Sequence, residues 1–277
     1  MPAQVPGAVT TVAITVPVVL SFVIPAFNEE VELPGTIEAI HRAAKDRYAF
    51  AEPERDTPAS AEPAADRQYE IIVVDDASTD GTPEVARNAG AKVVSIHRRQ
   101  IAAARNAGAR ASHGDILFFV DGDTRINAQH VSGAINALAS GCAAGSARVL
   151  VGGAIPVWAR IFIKTFCAFY FSLKLGAGAF LFTTRKNFDA VGGFDEKLFV
   201  GEEVYFSLAV RRLGRFRILL EPVVTSGRKL RMYSARDILG NSLGVILRWP
   251  RALRSRDRLR IWYDGRREVT PTMTNDE

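Results

Sequence analysis

Four short apolar runs in the first half of the chain each end in polar or charged residues, and this pattern restricts the possible folds most. The runs are Ser21–Pro25, Ile71–Val74, Val93–Ile96 and Ile116–Val120, with helix-like segments between them at 29–44, after Pro83 and at 101–111. Buried strands that alternate with helices predict an α/β fold around a parallel sheet with right-handed crossovers. Because ligands of such sheets bind beyond the carboxyl ends of the strands, the polar residues after the runs form the candidate site.

Two carboxylates one residue apart follow the fourth run, because Asp121 and Asp123 flank Gly122. Side chains alternate along a strand, so we expect both carboxylates to point the same way and to converge on one divalent cation, Mg²⁺ or Mn²⁺. Gly122 would allow another group to approach closely. Such a cation keeps open positions that suit diphosphate oxygens, although an isolated Asp-Gly-Asp is also compatible with a solvated loop.

Polar clusters follow the other three runs as well. They are Asn28-Glu29, Asp75-Asp76 and His97-Arg98. Since the carboxyl ends of parallel strands meet at one edge of a sheet, we expect these residues to lie near the acidic pair after the fourth run. Charge at four strand ends favours one ligand site over unrelated loops.

The composition is that of a globular protein with one strongly basic segment. The chain has 277 residues, a net charge of +5 and two cysteines without metal-type spacing, so a sizeable core and a reduced, cytoplasmic environment are expected. The apolar segment 9–24 has no basic region before it and contains Pro17, so we interpret it as an extension and a strand rather than a signal anchor. The arginine-rich part from Arg228 to Arg267 predicts a partner with phosphates, either anionic lipid or nucleic acid.

We expect three parts along the chain: an extension at 1–17, a main α/β domain at 18–225 and a basic, membrane-associating segment at 226–277. Within the domain, residues 51–67 are rich in Ala, Pro, Glu and Asp without periodicity, which is typical of a flexible insertion. The aromatic-rich stretch Ile161–Phe182 contains lysines and glycines, so it is too interrupted for a membrane span. Core packing and an interfacial helix both remain open for it.

The ordered motifs resemble the family 2 inverting glycosyltransferases, which have the GT-A fold. The resemblance is carried by Val23–Glu30, Val73–Thr82, Ala104–Gly108 and Asp121–Asp123, and it extends from about Val18 to Leu213. It implies a Rossmann-like three-layer sandwich around a mostly parallel sheet. It also implies transfer of a sugar from a nucleoside-diphosphate sugar to an acceptor hydroxyl.

The resemblance assigns roles to individual residues. Asp75 and Asp76 would hold the base and ribose of the donor, with Arg98 beside the base or the phosphates. Asp121 and Asp123 would bind the cation, with Asp123 as the more direct ligand. The full expected donor set is Pro25, Phe27, Glu29, Asp75, Asp76, Arg98, Asn106, Asp121 and Gly122.

The general base of the family is the second acid of a Gly-Glu-Asp-like motif at a helix start. Gly201-Glu202-Glu203 matches this motif, which makes Glu203 the expected base and Glu202 the alternative. Two acids at a helix amino terminus are also compatible with a purely stabilising role. Gly192-Gly193-Phe194 resembles the acceptor-side loop of the family. Arg105 is expected to be solvated on a helix surface, and Asn106 to brace the donor loops.

The expected enzyme is non-processive. The segment Val245–Trp249 keeps only the last two residues of the Gln-x-x-Arg-Trp motif of the family's processive synthases. The acceptor would be a sugar, a small molecule or a lipid-linked compound at the cytoplasmic membrane face. A nucleotidyltransferase of similar fold stays open, although Pro25–Glu29 is not the glycine-rich basic loop that such enzymes normally need. A nucleic-acid-binding protein also stays open, but it would leave the strand-end acids unexplained.

Overall fold

The computed structural model describes residues 18–46, 69–152, 171 and 175–227. The expected extension at 1–17, the insertion at 51–67 and the basic segment from 228 onward lie outside the described residues, so those three interpretations stay predictions.

The described strands form one eight-stranded sheet. They are β1 (Leu20–Ala26), β2 (Tyr69–Asp76), β3 (Lys92–Ile96), β4 (Ile116–Val120), β5 (Thr124–Arg125), β6 (Cys142–Gly152), β7 (Phe180–Thr184) and β8 (Arg215–Ser226). The order across the sheet is β3-β2-β1-β4-β7-β6-β8-β5. The first four strands are parallel, β7 pairs antiparallel with β4 and β6, and β8 pairs parallel with β6 and antiparallel with β5. The predicted mostly parallel sheet is therefore confirmed.

Helices cover both faces of the sheet. They are α1 (Leu33–Asp46), α2 (Thr82–Asn88), α3 (Ile101–Ala111), α4 (Ala128–Ala139), α5 (Arg185–Ala190) and α6 (Glu202–Val210). Alternate residues of a strand contribute to two separate cores, because side chains alternate across a sheet. In β4, Phe118 packs with apolar residues of α1 and α4, whereas Phe119 packs with those of α3, α5 and α6. The result is the predicted three-layer α/β sandwich.

Helix α1 begins later than the sequence predicts, at Leu33 rather than Glu29. The loop before it is bound to the loop after β2. The amide of Asn28 donates to Ser78 Oγ (3.0 Å), that of Glu29 donates to Thr82 Oγ1 (2.8 Å), and the Glu30 carboxylate accepts from the amide of Gly81 (2.7 Å). These bonds hold the two loops together at the carboxyl edge of the sheet.

The carboxyl-terminal end of the stretch Ile161–Phe182 is a core strand. Phe180, Leu181 and Phe182 are fully buried in β7, so this end of the stretch packs in the core. Most of the remaining stretch lies outside the described residues. No helix among the described residues is long and apolar enough to cross a membrane.

Strand β8 was not predicted, because its exposed arginines and partly exposed apolar residues hide the strand pattern.

Candidate active site

A cavity of about 390 Å³ opens beyond the carboxyl ends of β1, β2 and β4. This volume lies in the range of small-molecule sites, about 300–1,000 Å³. Its lining includes many of the residues expected from the sequence: Pro25, Phe27, Glu29, Asp76, Asp121, Gly122, Asp123, Glu202 and Glu203. The expected residues that do not line it are Asp75, Arg98, Asn106, Gly192, Gly193 and Phe194. Residues that the sequence did not single out also contribute, including Arg99, Phe199 and Val200.

The Asp-Gly-Asp segment is a turn rather than the end of a strand. Strand β4 ends at Val120, and the amide of Thr124 donates to the carbonyl of Asp121 (3.0 Å). The alternation argument for the two carboxylates was therefore wrong, although both line the same cavity. A Cβ on Gly122 would lie 3.3 Å from Glu29 Cγ, so the glycine allows the Glu29 side chain to approach. The buried hydroxyl of Thr36 holds the turn by donating to the carbonyl of Gly122 (2.8 Å).

Arg105 connects the acidic groups of the site. It is 1% exposed, so the expectation of a solvated helix surface was wrong. Its Nη1 donates to Glu202 Oε1 (2.7 Å), and its Nη2 donates to Asp121 Oδ1 (3.0 Å) and to the carbonyl of Gly178 (2.9 Å). Burial lowers the pKa of Arg105, but the nearby charges of Asp121, Glu202 and Glu203 outweigh it and leave the pKa above its ordinary value. The guanidinium therefore stays charged.

The two glutamates at the start of α6 have different surroundings. Glu202 is 3% exposed and forms the ion pair with Arg105, so it is an anchor. Glu203 lines the cavity and forms no ion pair with any described residue. Burial, with the Glu202 charge adding and Arg105 opposing, raises the pKa of Glu203 to about 8. A carboxyl group with this pKa can exchange a proton near neutral pH.

Asp121 also has a perturbed pKa. Burial raises it to about 6, the adjacent Arg105 opposes the rise, and the charge of Asp123 adds to it. Asp123 accepts a hydrogen bond from Thr225 Oγ1 (3.0 Å), which joins the turn to β8. The mutual repulsion of the two carboxylates is what a bound cation would relieve.

Asp76 organises the loop after β3. Its Oδ1 accepts from the amides of Arg98 and Arg99, and its Oδ2 accepts from the amide of Gln100, each at 2.7 Å. Arg99 has a φ of 50°, a conformation that is uncommon for residues other than glycine, and these bonds stabilise it. Oδ1 already accepts two hydrogen bonds, so only Oδ2 of Asp76 can accept another one. Asp75 is buried and accepts from the amide of Ser78 (3.2 Å).

Of the two adjacent arginines in the loop after β3, Arg99 rather than Arg98 lines the cavity. The guanidinium carbon of Arg99 lies 3.2 Å from the centroid of the Phe27 ring, and both side chains line the cavity. Arg98 is instead directed to Glu196 (3.8 Å) with a side chain that is 64% exposed. The sequence offered no signal to separate the two, because the distinction depends on the backbone conformation of the loop.

The Gly-Gly-Phe loop supports the site from behind. Asn106 is buried; its Nδ2 donates to the carbonyl of Phe194 (2.9 Å) and its Oδ1 accepts from the amide of Phe194 (2.9 Å). Gly193 has a φ of 73°, and a Cβ there would lie 2.7 Å from Asn106 Oδ1. The Phe194 ring lies 5.3 Å from the Arg105 guanidinium carbon and shields it. Asn106 thus braces the Gly-Gly-Phe loop. The sequence suggested a bracing role for Asn106 in addition to a place among the residues that bind the nucleotide-sugar.

The chemistry of the cavity fits a divalent cation. Among the described residues, no three His, Cys, Asp or Glu side chains group as a complete metal site. Asp121 and Asp123 nevertheless offer hard oxygen ligands on one turn, and a cation held by so few carboxylates normally completes its shell with water and substrate phosphates. These two residues would hold the ion.

Comparison with known proteins agrees with the fold and the motifs. The family described as Glycosyl transferase family 2 matches residues 21–193. A 4,4'-diaponeurosporenoate glycosyltransferase of Staphylococcus haemolyticus is 30% identical over 42% of this chain and 27% of its own length. The glycosyltransferase AglE of Haloferax volcanii is 34% identical over 31% of this chain and 29% of its own length. The matched regions therefore span less than a third of either relative.

Solved structures share the fold at low identity. Mannosyl-3-phosphoglycerate synthase from Rubrobacter xylanophilus has a TM-score of 0.56 and 21% identity, and the match covers 87% of this chain and 76% of that one. The mannosyltransferase PcManGT from Pyrobaculum calidifontis, in complex with GDP-Man and Mn²⁺, has a TM-score of 0.52 and 21% identity, with 76% and 57% covered. Since the family match covers more than half of the chain and the fold agrees, this protein belongs to glycosyltransferase family 2.

Proposed function

We propose that this protein is a metal-dependent, inverting, non-processive glycosyltransferase that uses a nucleoside-diphosphate sugar. The observation that carries the proposal is the convergence of Asp121, Asp123 and Glu203 on one cavity from separate parts of the chain. Family membership supports glycosyl transfer over the nucleotidyltransferase and nucleic-acid-binding alternatives. Structures of fold relatives that hold Mn²⁺ with a nucleotide or nucleotide-sugar support a divalent cation as cofactor.

The charge of the cavity supports the requirement for a cation. Six carboxyl side chains and two guanidinium groups line it among the described residues, which leaves an excess of negative charge even while Glu203 holds its proton. The charge of Arg105 is already paired with Asp121 and Glu202, so it offers little attraction to a ligand. A diphosphate would be repelled at this edge unless a cation lay between it and the acids. When bound, the cation would offset the charge that builds on the leaving diphosphate.

On the donor side, Phe27 and Arg99 suit a nucleotide. An aromatic face and a guanidinium plane provide stacking surfaces for a base, and the guanidinium fork also suits phosphate oxygens. We therefore assign to Arg99 the role that the sequence gave to Arg98. The remaining acceptor capacity of Asp76 Oδ2 suits one N–H or hydroxyl group of the base or ribose.

On the acceptor side, Glu203 acts as the general base. The acceptor oxygen forms a bond to the anomeric carbon, the bond from that carbon to the diphosphate oxygen breaks, and the acceptor proton passes to the Glu203 carboxylate. A single displacement of this kind inverts the anomeric configuration. Glu202 instead holds the helix start through its ion pair with Arg105.

The acceptor we propose is a lipid-linked or otherwise apolar molecule at the cytoplasmic membrane face. Phe199, Val200 and Ala179 give part of the cavity an apolar wall. The arginine-rich segment 226–277 is suited to anionic lipid, since each basic residue near such a surface contributes about 1 kcal/mol.

The test measures nucleoside diphosphate released from a panel of UDP- and GDP-sugars, with Mn²⁺ or with excess chelator. We expect release only with the metal, and Glu203→Gln should lower turnover by about 10²–10⁴-fold. Glu84→Gln, a surface carboxylate change on α2, is the control and should be unchanged. Full turnover in chelator would contradict the metal assignment. Loss in Glu202→Gln but not in Glu203→Gln would move the base to Glu202.

A further inference from the structure

Arg105 is a charged residue in a position where charges are rare. Arg105 lies on helix α3, and among the described residues it is the largest side chain that is fully buried. A guanidinium is buried to this degree only when its charge is compensated, and here two carboxylates and one carbonyl compensate it.

The partners of Arg105 come from three separate elements. Asp121 lies in the turn after β4, Glu202 is the first residue of α6, and Gly178 lies just before β7. A planar guanidinium fixes the relative directions of the groups that it bonds. The side chain therefore sets the position of the acidic turn relative to the helix start that carries Glu203.

We infer that Arg105 is a positioning residue for the transfer reaction: it engages Oδ1 of Asp121, which directs the other carboxylate oxygen to the cation, and it locks Glu202 so that Glu203 faces the acceptor. This inference rests on the proposed function. A lysine keeps the charge but cannot make two directed bonds from one planar group, so geometry rather than charge is the essential property.

The structure provides a second way to disturb the same contact. A Cβ on Gly178 would lie 2.9 Å from Arg105 Nη2. The Gly178→Ala change therefore displaces the guanidinium without removing any charged group.

It also provides a matched control. Arg185 is another partly buried arginine near α3, and its guanidinium donates to the carbonyls of Ala109, Ser112 and Gly114 at 2.8–3.0 Å. These contacts lie at the opposite end of α3 from the cavity and involve no cavity carboxylate. Arg185→Lys thus removes similar structural bonds without touching the site.

The experiment is a titration of the full-length protein with Mn²⁺ alone, followed by electron paramagnetic resonance, together with turnover and urea unfolding. We expect Arg105→Lys and Gly178→Ala to weaken Mn²⁺ affinity by about 10–100-fold, as changes behind a metal ligand commonly do. The spectrum of bound Mn²⁺ and the turnover number should change too. Arg185→Lys should keep the wild-type spectrum and turnover even where it unfolds more easily.

The outcomes separate this inference from the proposed function. If the wild type binds Mn²⁺ and Arg105→Lys keeps the same affinity, spectrum and turnover, the positioning role alone is overturned. No Mn²⁺ binding by the wild type would overturn the metal-dependent function and this inference with it. Where Arg105→Lys does not fold, Gly178→Ala decides: an unchanged spectrum and turnover overturn the inference, and a changed spectrum in a folded protein supports it.

Discussion

The raised pKa of Glu203 predicts that this residue makes the protein less stable as the pH rises. The pKa is about 8 in the folded protein against 4.5 for a free glutamate, chiefly because of burial and secondly because of the Glu202 charge. The folded state therefore holds the proton more tightly than the unfolded state. Stability from this group is fully present below the unfolded pKa and is lost as the pH rises to the folded pKa.

The size of the effect follows from the same two values. At about 1.4 kcal/mol per pH unit, the difference between 4.5 and about 8 has a ceiling of about 5 kcal/mol. Glu203 is only partly withdrawn from water, which lowers our expectation to about 2 kcal/mol. Gln has nearly the shape of the protonated carboxyl group but does not titrate, so Glu203→Gln should not show this loss.

The assay is urea unfolding of the wild type and of Glu203→Gln in chelator, at about pH 4, below the unfolded pKa, and at about pH 8.5. The loss between the two pH values is compared between the two proteins. The wild type should lose about 2 kcal/mol more than the variant over this interval. Asp121 titrates in both proteins, so its contribution is largely shared. Glu84→Gln is the control and should follow the wild type. Equal losses in the wild type and in Glu203→Gln would refute the raised pKa of Glu203.

Three further predictions test other parts of the site. Asp123→Asn should abolish turnover, and calorimetry in the presence of Mn²⁺ should show weaker nucleotide binding. Unchanged binding would exclude Asp123 as a ligand of the cation. Asp76→Asn replaces one of the two acceptor oxygens by an NH2 group that faces backbone amides, so it should cost about 1–3 kcal/mol of stability in urea unfolding. It should also weaken the affinity for the nucleotide-sugar, and an unchanged affinity would show that the loop after β3 does not contribute to nucleotide-sugar binding. The basic segment 226–277 should bind anionic vesicles in flotation assays, and binding should fall as salt rises; equal binding to neutral vesicles would exclude an electrostatic attachment.

The fold was largely accessible from the sequence because its determinants are local. The runs Ile71–Val74 and Ile116–Val120 are apolar throughout, which is typical of strands buried on both faces, and both are strands in the structure. The half of the sheet made by β6, β7 and β8 was less accessible. Its strands combine antiparallel and parallel pairing over long sequence separations, and β8 exposes Arg215 and Arg217.

The sequence alone determined which edge of the sheet would carry the site, because a parallel strand that ends in an acid brings that acid to the carboxyl edge whatever the loops do. Only the tertiary structure decided which side chains face the cavity. The three amide bonds to Asp76 turn Arg99 inward and leave Arg98 outside, and the packing of α3 against the sheet buries Arg105 between Asp121 and Glu202. These directions depend on contacts between residues far apart in the chain, and no local pattern of residue types contains them.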